Sequence, residues 1–330
     1  MRRIRNLFLS VLAFSLSSCQ VVQNRALHSV ADMLASPEGS SIFASDDDPR
    51  LVGDSLPLAL KLYEIVLDND PENADLAAAT GRNFVMYAAA YVQMPADMLD
   101  TTHWKEADEA RKRAKKLYLR GRKYLLEALE LRHEGFRELL ESGSYDQAIS
   151  LLNEEDADTV YWAALAWMGM ASTDPLDIEL ALSLDKAALL LFRSMQLDET
   201  NSGIHDVMIQ VYMSLPTSIL VSMQNRSPLI SEYIDSFYTA AGVGSDAEER
   251  AMFHYNQAVY LTDGKLPAPH VTMATAVSVK KQDAEGFRTY LEKAMAINPD
   301  DNPQSRLMIL IYQGRARWLL ENIELFFLEF

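Results

Sequence analysis

The chain reads as all-α, built from antiparallel helix pairs stacked side by side. Three observations predict this. From Leu56 onward the apolar residues recur at steps of three and four, the spacing of a helix with one buried stripe. No long alternating run of Val, Ile and Thr appears between turn dipeptides, as a strand would need. The 13 Gly and 12 Pro among 330 residues fall mainly between the helical segments, where breakers belong. Hydrophobic residues make up 49% of the chain, enough for a packed core and unlike a disordered sequence.

The first segment, 1–18, is a signal peptide. Arg2, Arg3 and Arg5 precede an apolar stretch from Leu7 to Leu16, and small residues follow. The stretch is too short to span a bilayer, which takes about 20 residues. Cleavage after Ser18 leaves Cys19, the one cysteine of the chain, as the new first residue. Leu16-Ser17-Ser18-Cys19 resembles a bacterial lipobox, which implies a lipoprotein held by acylated Cys19. The plainer reading is an ordinary signal peptide that contains a cysteine. Removing 1–18 takes away three arginines and no acid, moving the formal charge from −17 to −20. Such a surface repels nucleic acid and anionic lipid, so membrane attachment falls to the anchor.

Residues 19–55 form a lead-in, with turn-forming clusters at 36–41 and 45–49. The remainder, 56–330, is one helical domain. Within it a helix between Ala107 and Leu131 carries one apolar stripe through Ala114, Tyr118, Gly121, Leu125 and Leu129. Its other faces are densely basic, including Arg111, Arg113, Lys116 and Arg120. That row is either a solvated face paired with the acids of neighbouring helices or a docking face for an acidic partner. The segment 159–168 is apolar all round, so it is expected to be enclosed by other helices. Trp162 and Trp167, five residues apart, face different neighbours.

Four stretches align without gaps, 66–73, 128–133, 194–201 and 294–301, and each closes an amphipathic helix. The first and last then break at Pro71 and Pro299. A small residue, an apolar residue and then Asn/Asp-Pro is how the second helix of a tetratricopeptide repeat ends. Their separation exceeds the 34-residue period of regular repeats. A degenerate TPR-like solenoid or bundle is therefore expected, and stacks of this kind present a concave gripping surface.

The search for chemistry returns little. The six histidines include no pair at i, i+4, and neither a GxSxG elbow nor a phosphate-binding GxxxxGK[ST] loop occurs. No metal or cofactor is expected, and no enzyme. Asn83, Tyr87, Tyr91, Trp162, Trp167 and His205 are candidates to line a ligand-facing wall or channel. Phe84, Tyr87, Ala88 and Tyr91 share one helical stripe that serves either as core or as such a wall, with Asn83 and Gln93 beside it. His205 is either a helix-start residue bonded to backbone or a ligand-facing one.

Lipobox, degenerate repeats and an acid-rich helical body together resemble the T component of TPR-associated TRAP transporters. The resemblance runs from about Leu56 to Phe327. It rests on 67–71 leading into 87–92, on Tyr161-Trp162-Ala163-Ala164-Leu165-Ala166-Trp167, on Ser202-Gly203-Ile204-His205, and on the closing segments around Phe287, Asn298-Pro299 and Arg315-Ala316-Arg317. Met223 to Val243 departs from the pattern and looks like an insertion. The resemblance implies a lipid-anchored, periplasm-facing homotrimer that works with a periplasmic solute-binding protein. It further implies non-enzymatic passage of a small apolar or amphipathic organic acid through a helical pore. The rival reading is an assembly or chaperone lipoprotein of the envelope. Which membrane holds the anchor is open.

Overall fold

A computed structural model describes residues 36–328 together with Ala31 and Met33. The signal peptide and Cys19 lie outside the described residues. The described residues are 82% helical, with no strand among them. In chain order the helices are α1 (Pro37–Ala44), α2 (Pro49–Asn69), α3 (Ala74–Tyr87), α4 (Trp104–Arg132), α5 (Phe136–Ser142), α6 (Tyr145–Ser150), α7 (Ala157–Thr173) and α8 (Ile178–Leu182). They continue as α9 (Leu184–Leu197), α10 (Ser202–Ser214), α11 (Thr217–Arg226), α12 (Pro228–Ala241), α13 (Ala247–Leu261), α14 (Ala268–Thr272), α15 (Ala284–Ala296) and α16 (Arg306–Glu321).

Local chemistry sets the boundaries. Asp48 opens α2 by accepting from the backbone N–H groups of Arg50 and Leu51, each at 3.0 Å, so this helix crosses position 56 without a break. Asn73 caps α3 through Leu76 N–H at 2.9 Å, and Asp283 caps α15 through Gly286 N–H at 2.8 Å. Each cap satisfies a donor that has no partner inside the helix. The four aligned stretches fall at the ends of α2, α4, α9 and α15.

The layers follow chain order. α3 lies on α4, α4 on α7 and α7 on α9; α10 then pairs with α13, and α15 with α16. The first crossing is close because two glycines meet there. A Cβ on Gly81 would stand 2.7 Å from the carbonyl oxygen of Gly121, and one on Gly121 would stand 2.8 Å from that of Gly81. Each glycine weakens its own helix by about 1 kcal/mol relative to alanine, which contact between the two backbones offsets. One large core runs from α2 to α13 and takes in Met273, Val277 and Leu307, with Phe84, Leu125, Phe136 and Leu189 among its fully buried or nearly fully buried members. A smaller one, around Phe287, Leu291 and Leu319, joins α15 to α16.

The Gln313 amide of α16 donates to the carbonyl of Ile297 at 2.7 Å and to that of Ala294 at 3.2 Å. It thereby closes the C-terminal end of α15. The fold also joins its two ends. Arg306, the first residue of α16, donates to the Ser45 carbonyl at 3.4 Å, and α1 packs on α16.

Two expectations change. α7 is covered on most sides, with Val160, Ala163, Ala164 and Trp167 buried, but Trp162, Leu165 and Met168 are only partly buried. These three recur at steps of three, so they form one stripe with room for solvent. The second change is in the stripe through Tyr87 and Tyr91. α3 continues as a π-helix over Ala88–Gln93, and α14 does the same over Met273–Ser278. The wider turn leaves Tyr91 half-buried while Val92 is buried. Among the described residues no single helix is long and apolar enough to cross a membrane. α10 and α11 pass that test only as a pair bent by 114°.

Candidate functional site

The six candidate lining residues do not form one wall. Tyr87 and Tyr91 meet, with ring centroids 5.9 Å apart. The Tyr87 hydroxyl accepts from Arg113 at 3.1 Å. The Tyr91 hydroxyl is buried without a partner, and burial pushes it up to about 12. Asn83 is buried on α3 and bonds to Tyr63. Trp162 donates to Asp158 at 3.0 Å at the protein surface. Trp167 is buried, donating to the Ser183 hydroxyl at 2.8 Å, and the Arg122 guanidinium stands 4.3 Å from its ring centre. Gln93 accepts from the Tyr118 hydroxyl at 2.7 Å and donates to Ser172 at 2.9 Å.

His205 belongs to a buried relay. Its Nε2 lies 3.0 Å from the Glu199 carbonyl and its Nδ1 lies 2.7 Å from Nδ1 of His254. Nε2 of His254 lies 2.6 Å from the Tyr238 hydroxyl. A carbonyl only accepts, so His205 carries its proton on Nε2. Its Nδ1 must then accept from Nδ1–H of His254, and His254 Nε2 must accept from Tyr238. The geometry thus selects one tautomer for each ring. Burial holds both imidazoles below their ordinary pKa, with His254 lowered further by its neighbours His205 and Arg250. The relay joins α10, α12 and α13.

A second polar cluster sits where α4, α7, α10, α14 and α16 converge. It contains Tyr118, Tyr161, Asp206, Thr272, Tyr312 and Arg315. Asp206 bonds to Thr272, while its Oδ1 is buried and unpartnered. Burial raises its carboxyl to about 6, opposed by the Thr272 hydrogen bond and the Arg315 cation. Tyr312 is pushed up to about 12 by burial yet retains accessible surface. Sequence reading missed this cluster, because its members come from five helices and no local spacing links them.

The basic row on α4 is largely paired inside the protein. Arg111 bonds Asp97 at 2.8 Å, and Lys115 bridges Asp174 and Asp177, each at 2.7 Å. Arg113 sits over Tyr87, and Arg120 pairs with Glu64 while lying 5.0 Å from the Phe84 ring centre. Of the four docking candidates, Arg111, Arg113 and Arg120 are therefore bound to neighbouring groups, and Lys116 is exposed without an acid partner among the described residues. Among the described residues no three His, Cys, Asp or Glu side chains stand together as a metal site.

Residues 45–219 and 229–327 match the family model described as TRAP transporter T-component. The gap between the two matched stretches, 220–228, covers the end of α11 and its corner with α12. The rest of the stretch read as an insertion, up to Val243, is matched. The chain is also 29% identical over 341 residues to an uncharacterized protein of Treponema pallidum (strain Nichols), covering 97% of this chain and 98% of that one.

Proposed function

Since this chain belongs to the TRAP transporter T-component family, we propose that it serves its transport system by holding the extracytoplasmic solute-binding protein, without catalysis of its own. The family match over most of the chain carries this reading. The mature protein is tethered through acylated Cys19 on the periplasmic side of a bacterial membrane and assembles as a trimer. The solute passes through the helical body. The convergence around Tyr161, Asp206, Tyr312 and Arg315 is the polar part of that route, replacing the wall expected from Asn83, Tyr87, Tyr91, Trp162, Trp167 and His205. Phenols, a buried carboxyl and one cation beside apolar helices suit an amphipathic solute, whose polar group needs partners once it leaves water.

The test is co-purification of the tagged full chain from detergent extracts. Recovery of a TRAP-type solute-binding protein supports the reading. Recovery of outer-membrane assembly partners in its place favours a chaperone role and ends it.

A further inference from the structure

A groove of about 500 Å³ lies between α4 and α5. Its floor is apolar, with Leu140 fully buried and Leu126 8% exposed, and Leu119 stands exposed on its rim. Its polar lining is cationic in a chain of net charge −17. Two of these cations are neutralised, Arg120 by Glu64 and Arg137 by Glu127 at 2.9 Å. The one acid of the lining, Glu141, is held by Lys186.

Among the described residues three cations remain without a salt bridge: Lys116, Arg122 and Lys123, of which Arg122 feels only the charge of Glu141. Arg122 differs from the two exposed lysines. It is half-buried, and its guanidinium lies against the Trp167 ring. The aromatic contact compensates part of the cost of burying the charge, and the carboxylate nearest in charge, Glu141, is itself paired with Lys186, which leaves the fork of Arg122 without a salt bridge. A guanidinium placed over an aromatic ring still offers its planar fork of donors, which suits a carboxylate. The two lysines add attraction without fixed geometry.

We propose that this groove binds an acidic segment of a partner protein, one carboxylate on Arg122, others near Lys116 and Lys123, and an apolar side chain against Leu119 and Leu126. The inference rests on the proposed function, for which it names the docking chemistry. A partner protein is favoured over an anionic bilayer because the rest of the acidic surface is repelled by a lipid sheet. A single protruding segment meets only the groove. The exposed apolar rim also fits a side chain better than a headgroup.

The probe is the solute-binding protein, titrated against the immobilised full chain in detergent at low and moderate salt. Wild-type binding should weaken with salt. The double change Lys116→Glu and Lys123→Glu, both at exposed positions, should weaken it by about tenfold or more and flatten the salt dependence. Arg122→Lys keeps the charge but loses the fork, and should weaken it by about three- to tenfold. Thermal melts establish that each variant is folded, and Lys265→Glu, a reversal elsewhere on the surface, should leave binding unchanged. If wild type binds and the double variant binds equally well, the groove is not the docking site, and the proposed function stands. If wild type does not bind the solute-binding protein at all, both readings fall. If the double variant keeps that protein but loses wild-type binding to phosphatidylglycerol vesicles, the groove takes a lipid headgroup and the proposal is overturned.

Discussion

The Nδ1 atoms of His205 and His254 lie 2.7 Å apart in a buried site, so the pair accommodates one proton between them and not two. Both folded pKa values lie below the ordinary one. The stability that these neutral rings contribute is present above about pH 6.5 and is lost as pH falls below it, because the unfolded chain then binds protons that the fold refuses. His254→Leu leaves Nδ1 of His205 unpaired and takes the imidazole from the Tyr238 hydroxyl, which keeps Tyr212 as a partner. It should cost about 2–4 kcal/mol at pH 8 and lessen the acid sensitivity. Melts from pH 8 to 4.5 check this; a variant whose melting point falls with acid as steeply as wild type would show that the rings do not govern it.

Asp206 titrates with the opposite sign. Its folded pKa, about 6, exceeds the unfolded value, so the contribution to stability is fully present below about pH 4 and is lost as pH rises through 6. Asp206→Asn should therefore stabilise the protein by about 1–3 kcal/mol at pH 7.5 and make little difference below pH 4. Chemical denaturation at the two pH values measures the gap. A gap of equal size at both would mean that ionisation is not its source. In wild type the two titrations partly cancel, so each variant should reveal the other.

Gly121→Ala places a methyl group against the Gly81 carbonyl. Alanine ordinarily strengthens a helix interior, but here overpacking should win, at about 2–4 kcal/mol of lost stability. A urea midpoint at or above that of wild type would disprove the backbone contact between α3 and α4.

Trp167→Ala should cost about 3–5 kcal/mol as a large-to-small change in the core. Trp162→Ala should cost about 1 kcal/mol or less, because that ring is part-exposed and its one hydrogen bond reaches a surface acid. Denaturation midpoints rank the two, and the reverse order would contradict the burial of α7.

Cys19→Ala should abolish palmitate labelling and move the protein from the membrane to the soluble periplasmic fraction. Labelling that survives the change would place the anchor elsewhere or remove it from the account.

The helix through Tyr118 and Leu125 was legible because a long amphipathic period repeats over many turns. The helix ends at Asp70-Pro71 and Asn298-Pro299 were legible for a local reason, since proline cannot continue a helix. The destination of the α4 cations was not legible. Arg113 meets Tyr87 and Arg120 meets Glu64, and which acid or ring faces a given arginine depends on how the helices cross. Asp206 looked ordinary for the same reason, since only packing from five helices removes its water. Neither π-helix announces itself either, because one widened turn leaves the apolar pattern nearly intact.

The hydrogen bond from Arg306 to the Ser45 carbonyl turns a long linear chain into a loop closed near its origin. From that closure α16 carries the chain on for 16 residues at about 1.5 Å each, and Gln282 then donates to the Phe326 carbonyl at 3.1 Å, so a reporter domain fused after α16 would emerge beside the start of α15. The corner between α11 and α12, where the family match is interrupted, offers a second attachment point within the chain.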